Sequence, residues 1–320
     1  MVPLQLNQIP DADLAMGSAL TATVKNPFYG VITDPSSTLG TTTTTANQPL
    51  RPHPQFLNFE VINSGLGHST YNAAQFTVEH RMKQGLAVLF AYTFSKAIDN
   101  VGEMTSVAGS YTGFQDVYCP RCDKSRSDQD ETHVFRWSTS YELPFGPQRQ
   151  FLTHGLWGQV AGGWTVSTVY SFDSGRPLAV SATNNSHSFS GGGYRPNVVP
   201  GISPLLSGGS PHGSHIKAGA TYFNPAAFVQ PANFTFGNAS RYLANINNPY
   251  NWNLDAMLEK SQHIGERYVL TFRGEAFNAL NNVIFTGPTT SVSSATFGKI
   301  ASLSQTNTPR NVQVSARFTF

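Results

Sequence analysis

The last ten residues, Asn311-Val312-Gln313-Val314-Ser315-Ala316-Arg317-Phe318-Thr319-Phe320, constrain this chain more than any other stretch. Side chains of a β-strand alternate between two faces. Val312, Val314, Ala316, Phe318 and Phe320 therefore share one face, and Asn311, Gln313, Ser315, Arg317 and Thr319 the other, without exception. Two all-β architectures use such a strand. In a soluble sandwich the apolar face covers a core and the polar face meets water; in a transmembrane barrel the apolar face meets lipid and the polar face the lumen.

Six further stretches repeat the pattern. Residues 71–81 set Ala74, Phe76 and Val78 against Gln75, Thr77, Glu79 and Arg81, and residues 86–95 align Leu86, Val88, Phe90, Tyr92 and Phe94; a turn at 82–85 makes them a hairpin. Residues 132–143 align Phe135, Trp137, Tyr141 and Leu143, and residues 164–172 align Trp164, Val166, Thr168, Tyr170 and Phe172. Residues 252–259 set Trp252, Leu254, Ala256 and Leu258 against Asn253, Asp255 and Glu259. After a turn at 261–265, residues 268–277 set Tyr268, Leu270 and Phe272 against Thr271, Arg273 and Glu275. Residues 1–70, 96–130 and 173–250 are rich in Gly, Pro, Ser, Thr and Asn, lack either period, and read as irregular, mobile loops with their most flexible tip at Gly191, Gly192 and Gly193.

Composition separates the two architectures. Charged residues make up 12% of the chain, about half the roughly 25% usual in soluble domains. No window approaches the roughly 18 to 20 apolar residues of a membrane helix, so any span must be built from strands. Connections after the first, third and fifth stretches are the shorter ones and the others are long, as in outer-membrane barrels with their short periplasmic turns and long extracellular loops. A ten-residue strand rises about 33 Å and, tilted by about 45°, covers roughly 23 Å of membrane normal, close to the apolar band of such barrels. The fold expected is all-β: an antiparallel transmembrane β-barrel in the bacterial outer membrane, about seven strands of a larger barrel, with residues 1–70 as an extracellular loop segment and 71–320 as barrel. The final set Val312, Val314, Ala316, Phe318 and Phe320 resembles the assembly signal that the insertion machinery of outer-membrane barrels reads.

Several short runs carry a more specific resemblance. They are Asn26-Pro27-Phe28-Tyr29-Gly30, Arg51-Pro52-His53-Pro54-Gln55-Phe56, Ser69-Thr70-Tyr71-Asn72-Ala73 and Tyr92-Thr93-Phe94-Ser95-Lys96-Ala97-Ile98-Asp99-Asn100 in the first third of the chain. Tyr141-Glu142-Leu143-Pro144-Phe145-Gly146, Tyr222-Phe223-Asn224-Pro225-Ala226-Ala227-Phe228 and Phe272-Arg273-Gly274-Glu275-Ala276-Phe277-Asn278 complete the set. Together, in this order, they resemble the C-terminal barrel region of Oar-type TonB-dependent receptors. The resemblance implies a barrel of about 22 strands with an internal plug, preceded by a periplasmic sandwich domain and a TonB-contacting segment, and a role in uptake of a ligand it does not identify. Those parts are not in this sequence, and its start lacks the regions of a secretion signal. The 320 residues are thus expected to be a C-terminal piece that neither assembles nor transports by itself, with two strand edges seeking partners.

The candidate functional residues follow from the polar faces. Glu79, Arg81, Glu142, Asp255, Glu259, Arg273, Glu275 and Arg317 fall on the lumen side, where charge avoids lipid; cross-strand pairing explains them before contact with a plug or ligand does. Trp137, Trp164, Tyr170 and Tyr268 read as interface girdle. Cys119 and Cys122 have no second pair to complete a zinc site, leaving a local disulfide or two idle thiols. Asp128, Asp130 and Glu131 fit no EF-hand spacing and read as a solvated acidic patch. No cofactor and no metal is expected, catalytic motifs are absent, and a net charge of +2 gives no footprint for nucleic acid. The partners expected are the bilayer, the assembly machinery, and TonB only through upstream sequence. Two rivals share the pattern: an outer-membrane adhesin that does not transport, and a secreted β-sandwich adhesin.

Overall fold

Strands with one apolar face and backbone groups that must pair lie edge to edge, and in the computed structural model seven of them do so in sequence order. The structure describes residues 2–34, 36–100, 114–147, 149–185, 193–211, 216–265, 267–302 and 306–320. The strands are β1 (Ser69–Lys83), β2 (Leu86–Asp99), β3 (His133–Glu142), β4 (Trp164–Asp173), β5 (Asn251–Ile264), β6 (Tyr268–Phe277) and β7 (Asn311–Thr319). Each is antiparallel to the next, and a two-residue strand, Ser125–Arg126, pairs with the end of β2. Among the described residues the sheet is a single open path from β1 to β7, which disagrees with the two packed sheets of a sandwich.

The register makes each face continuous. Phe90 is opposite Trp137, Trp137 opposite Tyr170, Tyr170 opposite Leu254, and on the other side of β5 Leu258 is opposite Gly274 and Gly274 opposite Val314. Directly paired residues point to the same side, so the apolar sets read from the sequence join into one sheet-wide apolar face. Val314 and Phe320 on this face are 80% and 88% exposed, and large apolar side chains stand open along the whole wall.

All three short connections lie at one end. Gln84 and Gly85 both adopt positive φ, at 53° and 84°, which is the I′ geometry whose twist suits a two-residue hairpin. A Cβ on Gly85 would also stand 2.9 Å from the Glu142 carbonyl oxygen. The β3–β4 connection carries a helix, α1 (Gly155–Ala161). The turn expected at 261–265 is displaced: β5 runs on to Ile264, because Ser261, Gln262 and His263 pair with Thr271, Leu270 and Val269 although their polarity suggests a loop. β1 begins at Ser69, two residues earlier than expected.

The described residues of the three long connections and of 2–68 gather at the opposite end, and here expectation and structure differ. The backbone is irregular as expected, with only short pieces of regular structure: Val2–Gln5 pairs with Glu60–Ser64, and Thr23–Lys25 with Thr43–Thr45. Yet these segments are no free loops. Of the buried apolar residues described, Ala97 alone belongs to a long strand. Leu178, Val180, Tyr222, Phe223, Phe228, Leu243, Ile246 and Ile300 form one core, and Ile9, Leu20 and Phe234 a second. We call this packed unit the cap. Gly191 and Gly192 lie outside the described residues.

Candidate functional site

The polar face of the wall is a ladder of matched charges. On β5 and β6, Glu259 accepts from Arg273 Nε and Nη2 at 2.9 and 2.6 Å. Arg273 lies 3.7 Å from Glu275, and Glu275 accepts from Gln313 on β7, so the network crosses three strands. Asp255 accepts from Asn253 and from the Asn278 backbone N–H, both at 2.8 Å, which ties β5 to the start of the next connection. Glu142 pairs with Arg149, and Glu79 with Arg81 at 3.0 Å. Arg317 is opposite Thr271. The register puts Glu79, Glu142, Asp255, Glu259, Arg273, Glu275 and Arg317 on the same face, and Arg81, beyond an irregularity of β1, is joined to it through Glu79. Glu259 and Arg273 pair across strands, as charges on a wetted wall do; Glu79 and Arg81 pair along one strand, and Arg149 reaches Glu142 from the β3–β4 connection. Sequence reasoning missed Arg136, which bridges β3 to Asp173 on β4 at 2.6 Å from this same face.

Aromatic rings band the apolar face. Phe90, Phe135 and Tyr170 meet edge to face at 5.1 and 5.6 Å, and Tyr170 lies 6.2 Å from Trp252. Trp137 and Tyr170 sit one step inward from Phe135 and Phe172. At the turn end Tyr268 stacks on Phe318 at 5.6 Å, and Trp164 lies under the ammonium of Lys260.

The cap is built from buried polar joints. Asp130 accepts from Arg126 Nε and from the Ala97 N–H, both at 2.6 Å and both buried. The other end of the Arg126 guanidinium donates to the Ala244 carbonyl at 2.9 Å and to Asn247 Oδ1 at 2.7 Å. Asp123 pairs with Arg195 at 2.6 Å, and Asp99 with Arg241. Burial pushes the Asp123 carboxyl up and the Arg195 guanidinium down, each against the pull of its partner. Burial also pushes the Tyr222 hydroxyl up; it donates to the Asn247 carbonyl at 2.9 Å. The acidic patch expected at Asp128, Asp130 and Glu131 is therefore corrected: Asp130 is a buried anchor, and Glu131 pairs with Arg176 at 3.0 Å. Cys119 and Cys122 form a disulfide, resolving the two alternatives. Many residues of the runs singled out in the sequence prove to be joints of this unit: Asn26 donates to the Leu39 and Thr41 carbonyls, Arg51 to the Asn7 carbonyl, and Tyr222, Phe223, Ala227 and Phe228 lie in the main core.

The cap rests on the polar face. At the loop end of β2 burial alternates, with Ser95, Ala97 and Asp99 covered and Phe94 and Lys96 open. Ser95, Ala97 and Asp99 share the face of Thr93, Ala91 and Leu89, which lies opposite the apolar one. The Ser95 hydroxyl donates to the Glu131 carbonyl and Asp99 pairs with Arg241, so the cap lies over this face.

An open-edged antiparallel meander, apolar outside and charge-paired inside, with short connections at one end and a folded mass of long ones at the other, defines an outer-membrane barrel wall. The comparison with known families agrees: the chain matches the model of the family described as "Outer membrane beta barrel domain" over residues 2–313, and it belongs to that family. It is a protein of the bacterial outer membrane. No curated protein and no solved structure matches it.

Proposed function

We propose that the chain forms the wall and external cap of an Oar-type TonB-dependent receptor, taking up a ligand caught at the cap and passed along the polar face. The observation that carries the reading is the position of the cap. It packs inward over the polar face at the loop end of β2, whereas a plain diffusion pore needs no folded unit with its own core there. An uptake cycle of this kind also calls for a plug and a TonB-contacting segment, and the apolar set ending on Phe320 is the part offered to the assembly machinery. Glu259, Arg273, Glu275 and Arg317 are the wall charges a plug would face.

The test is crosslinking in cells that carry the protein. A photoreactive probe in its periplasmic part should capture TonB, and collapse of the proton-motive force should stop accumulation of whatever substrate the cap binds. Attachment of cells to a surface that depends on the cap, with no TonB adduct at any probe position, would favour the adhesin instead.

A further inference from the structure

The connection between β3 and β4 holds an exposed apolar patch that is not part of the wall. In α1 the side chains of Leu156, Trp157 and Val160 fall within an arc of about 100°, as positions i, i+1 and i+4 of a helix do. They are 79%, 75% and 61% exposed. The opposite side is closed: Gly158 is buried, and a Cβ there would stand 2.3 Å from the Leu152 carbonyl oxygen. The helix thus has a fixed back and an open front.

A seven-residue helix is too short to hold itself in water, and this one has no side-chain cap at its start. The wall holds it. Trp164 donates from Nε1 to the Val160 carbonyl at 2.9 Å, and Lys260 donates from Nζ to the carbonyls of Gln159 and Gly162. Trp164 and Lys260 are direct partners in the ladder, on the same face as the paired Val166 and Leu258. That is the lipid face. A lysine there is costly unless its ammonium reaches polar groups at the rim, and the last carbonyls of α1 are those groups. The helix is therefore moored to the outer side of the wall at its turn end, next to the ring that Trp164 adds to the aromatic band.

We infer that α1 is an in-plane membrane element whose occupant is the phospholipid leaflet meeting the turn end of the barrel, with Leu156, Trp157 and Val160 set about 5–10 Å into the boundary between headgroups and acyl chains. Continuity with the lipid face argues for lipid over a protein partner. So does the indole of Trp157, a side chain that favours this boundary. The helix would fix the depth and tilt of the β3–β4 edge in the bilayer.

The test uses the full protein in vesicles of phosphatidylethanolamine and phosphatidylglycerol. Both native cysteines are held in the disulfide, so single cysteines at 156, 157, 159 or 160 can be spin-labelled selectively. Labels at 156, 157 and 160 should collide with dissolved oxygen more than with a water-soluble nickel chelate, and the preference should reverse at 159, which lies about 110° from the middle of the stripe, towards the buried Gly158. Preference for the chelate at 156 and 157 would overturn the inference, and so would labels shielded from both reagents, the sign of a protein partner. Lys260→Met supplies an arm that leaves the stripe intact: mobility of the label at 157 should rise while the wall stays folded, and unchanged mobility would overturn the mooring.

Discussion

Residues 216–246 of the cap and strand β5, which follows closely in the chain, meet opposite environments with opposite means. In β5 every residue has a ladder partner on at least one side and 256–260 on both, no side chain is fully buried, and the apolar half is open to lipid. In residues 216–246 there is little regular pairing, yet Tyr222, Phe223, Ala227, Phe228, Leu243 and Ile246 are buried together. The contrast teaches where each part's stability comes from. In lipid an unpaired backbone group costs several kcal/mol and apolar side chains gain little by touching one another, so the ladder and the two-faced pattern decide. In water the cap must exclude solvent from a core and satisfy its buried polar groups one by one.

The sharpest way to break this comparison is to cut out the centre of the cap. Phe223 is fully buried, with the rings of Phe297 and Phe228 at 5.3 and 5.9 Å. Phe223→Ala should cost the cap about 3–5 kcal/mol, seen as new proteolysis between residues 173 and 250, while heat-modifiable migration of the wall is retained. If the wall is lost with the cap, the two are one cooperative unit and the contrast fails.

Charge gives the second test. Asp130→Ala leaves Arg126 buried without its carboxylate and frees the Ala97 N–H, a loss of about 3–5 kcal/mol for a pair so buried. Glu259→Gln opens a pair of similar length on the wetted wall and should cost only about 0–1 kcal/mol. Chemical denaturation followed by hydrogen exchange in each region compares them. Equal losses would mean that the wall pair is as dry as the cap pair.

These two charges also show how much was legible beforehand. All seven strands were readable, because a side-chain period of two is a local property and survives without knowledge of the neighbours. That the charged set shares one face was readable for the same reason. What escaped is contact between irregular segments, which leaves no period: Asp130 and Asp128 look alike in sequence, and only the fold buries one of them. Gln8 meets Asp116 across 108 residues, and Arg126 meets Asn247 across 121. The end of β5 was misread for a related reason, since Ser261, Gln262 and His263 are polar on both faces and their pairing is carried by backbone alone.

Within the wall, two adjacent residues sharpen the assignment of faces. Leu258 lies on the apolar side between Val166 and Gly274; Met257 lies on the polar side between Ser167 and Glu275. Leu258→Arg should destabilise the barrel by about 2–4 kcal/mol if the site is near the bilayer midplane. Met257→Arg should be close to neutral, since a carboxylate stands opposite. Urea titration of the protein in vesicles measures both. A reversed order would turn the barrel inside out.

The smallest expected effect lies where residues 2–34 dock on the rest of the cap. Gln8 Nε2 donates to Asp116 at 2.9 Å and to Asp11 at 3.3 Å, its Oε1 accepts from the Val117 N–H at 3.1 Å, and its carbonyl accepts from the Tyr118 hydroxyl at 3.0 Å. One amide thus holds two carboxylates near each other. Burial, and then the Asp116 charge, raise the Asp11 carboxyl above its ordinary value of 3.8. The folded cap therefore binds this proton more tightly than the unfolded chain does. Its contribution to stability is fully present below 3.8 and is lost as the pH rises through the raised folded value, so it is missing at neutral pH. Docking should tighten as the pH falls from neutral into the carboxylate range, opposite to the acid weakening that a salt-bridged carboxylate gives. The protection factor of the Val117 amide, corrected for intrinsic exchange, reports it directly, and Asp11→Asn should flatten the dependence. A protection factor that falls on acidification in the native protein would mean that the Asp116 carboxylate holds this joint chiefly through its own charge.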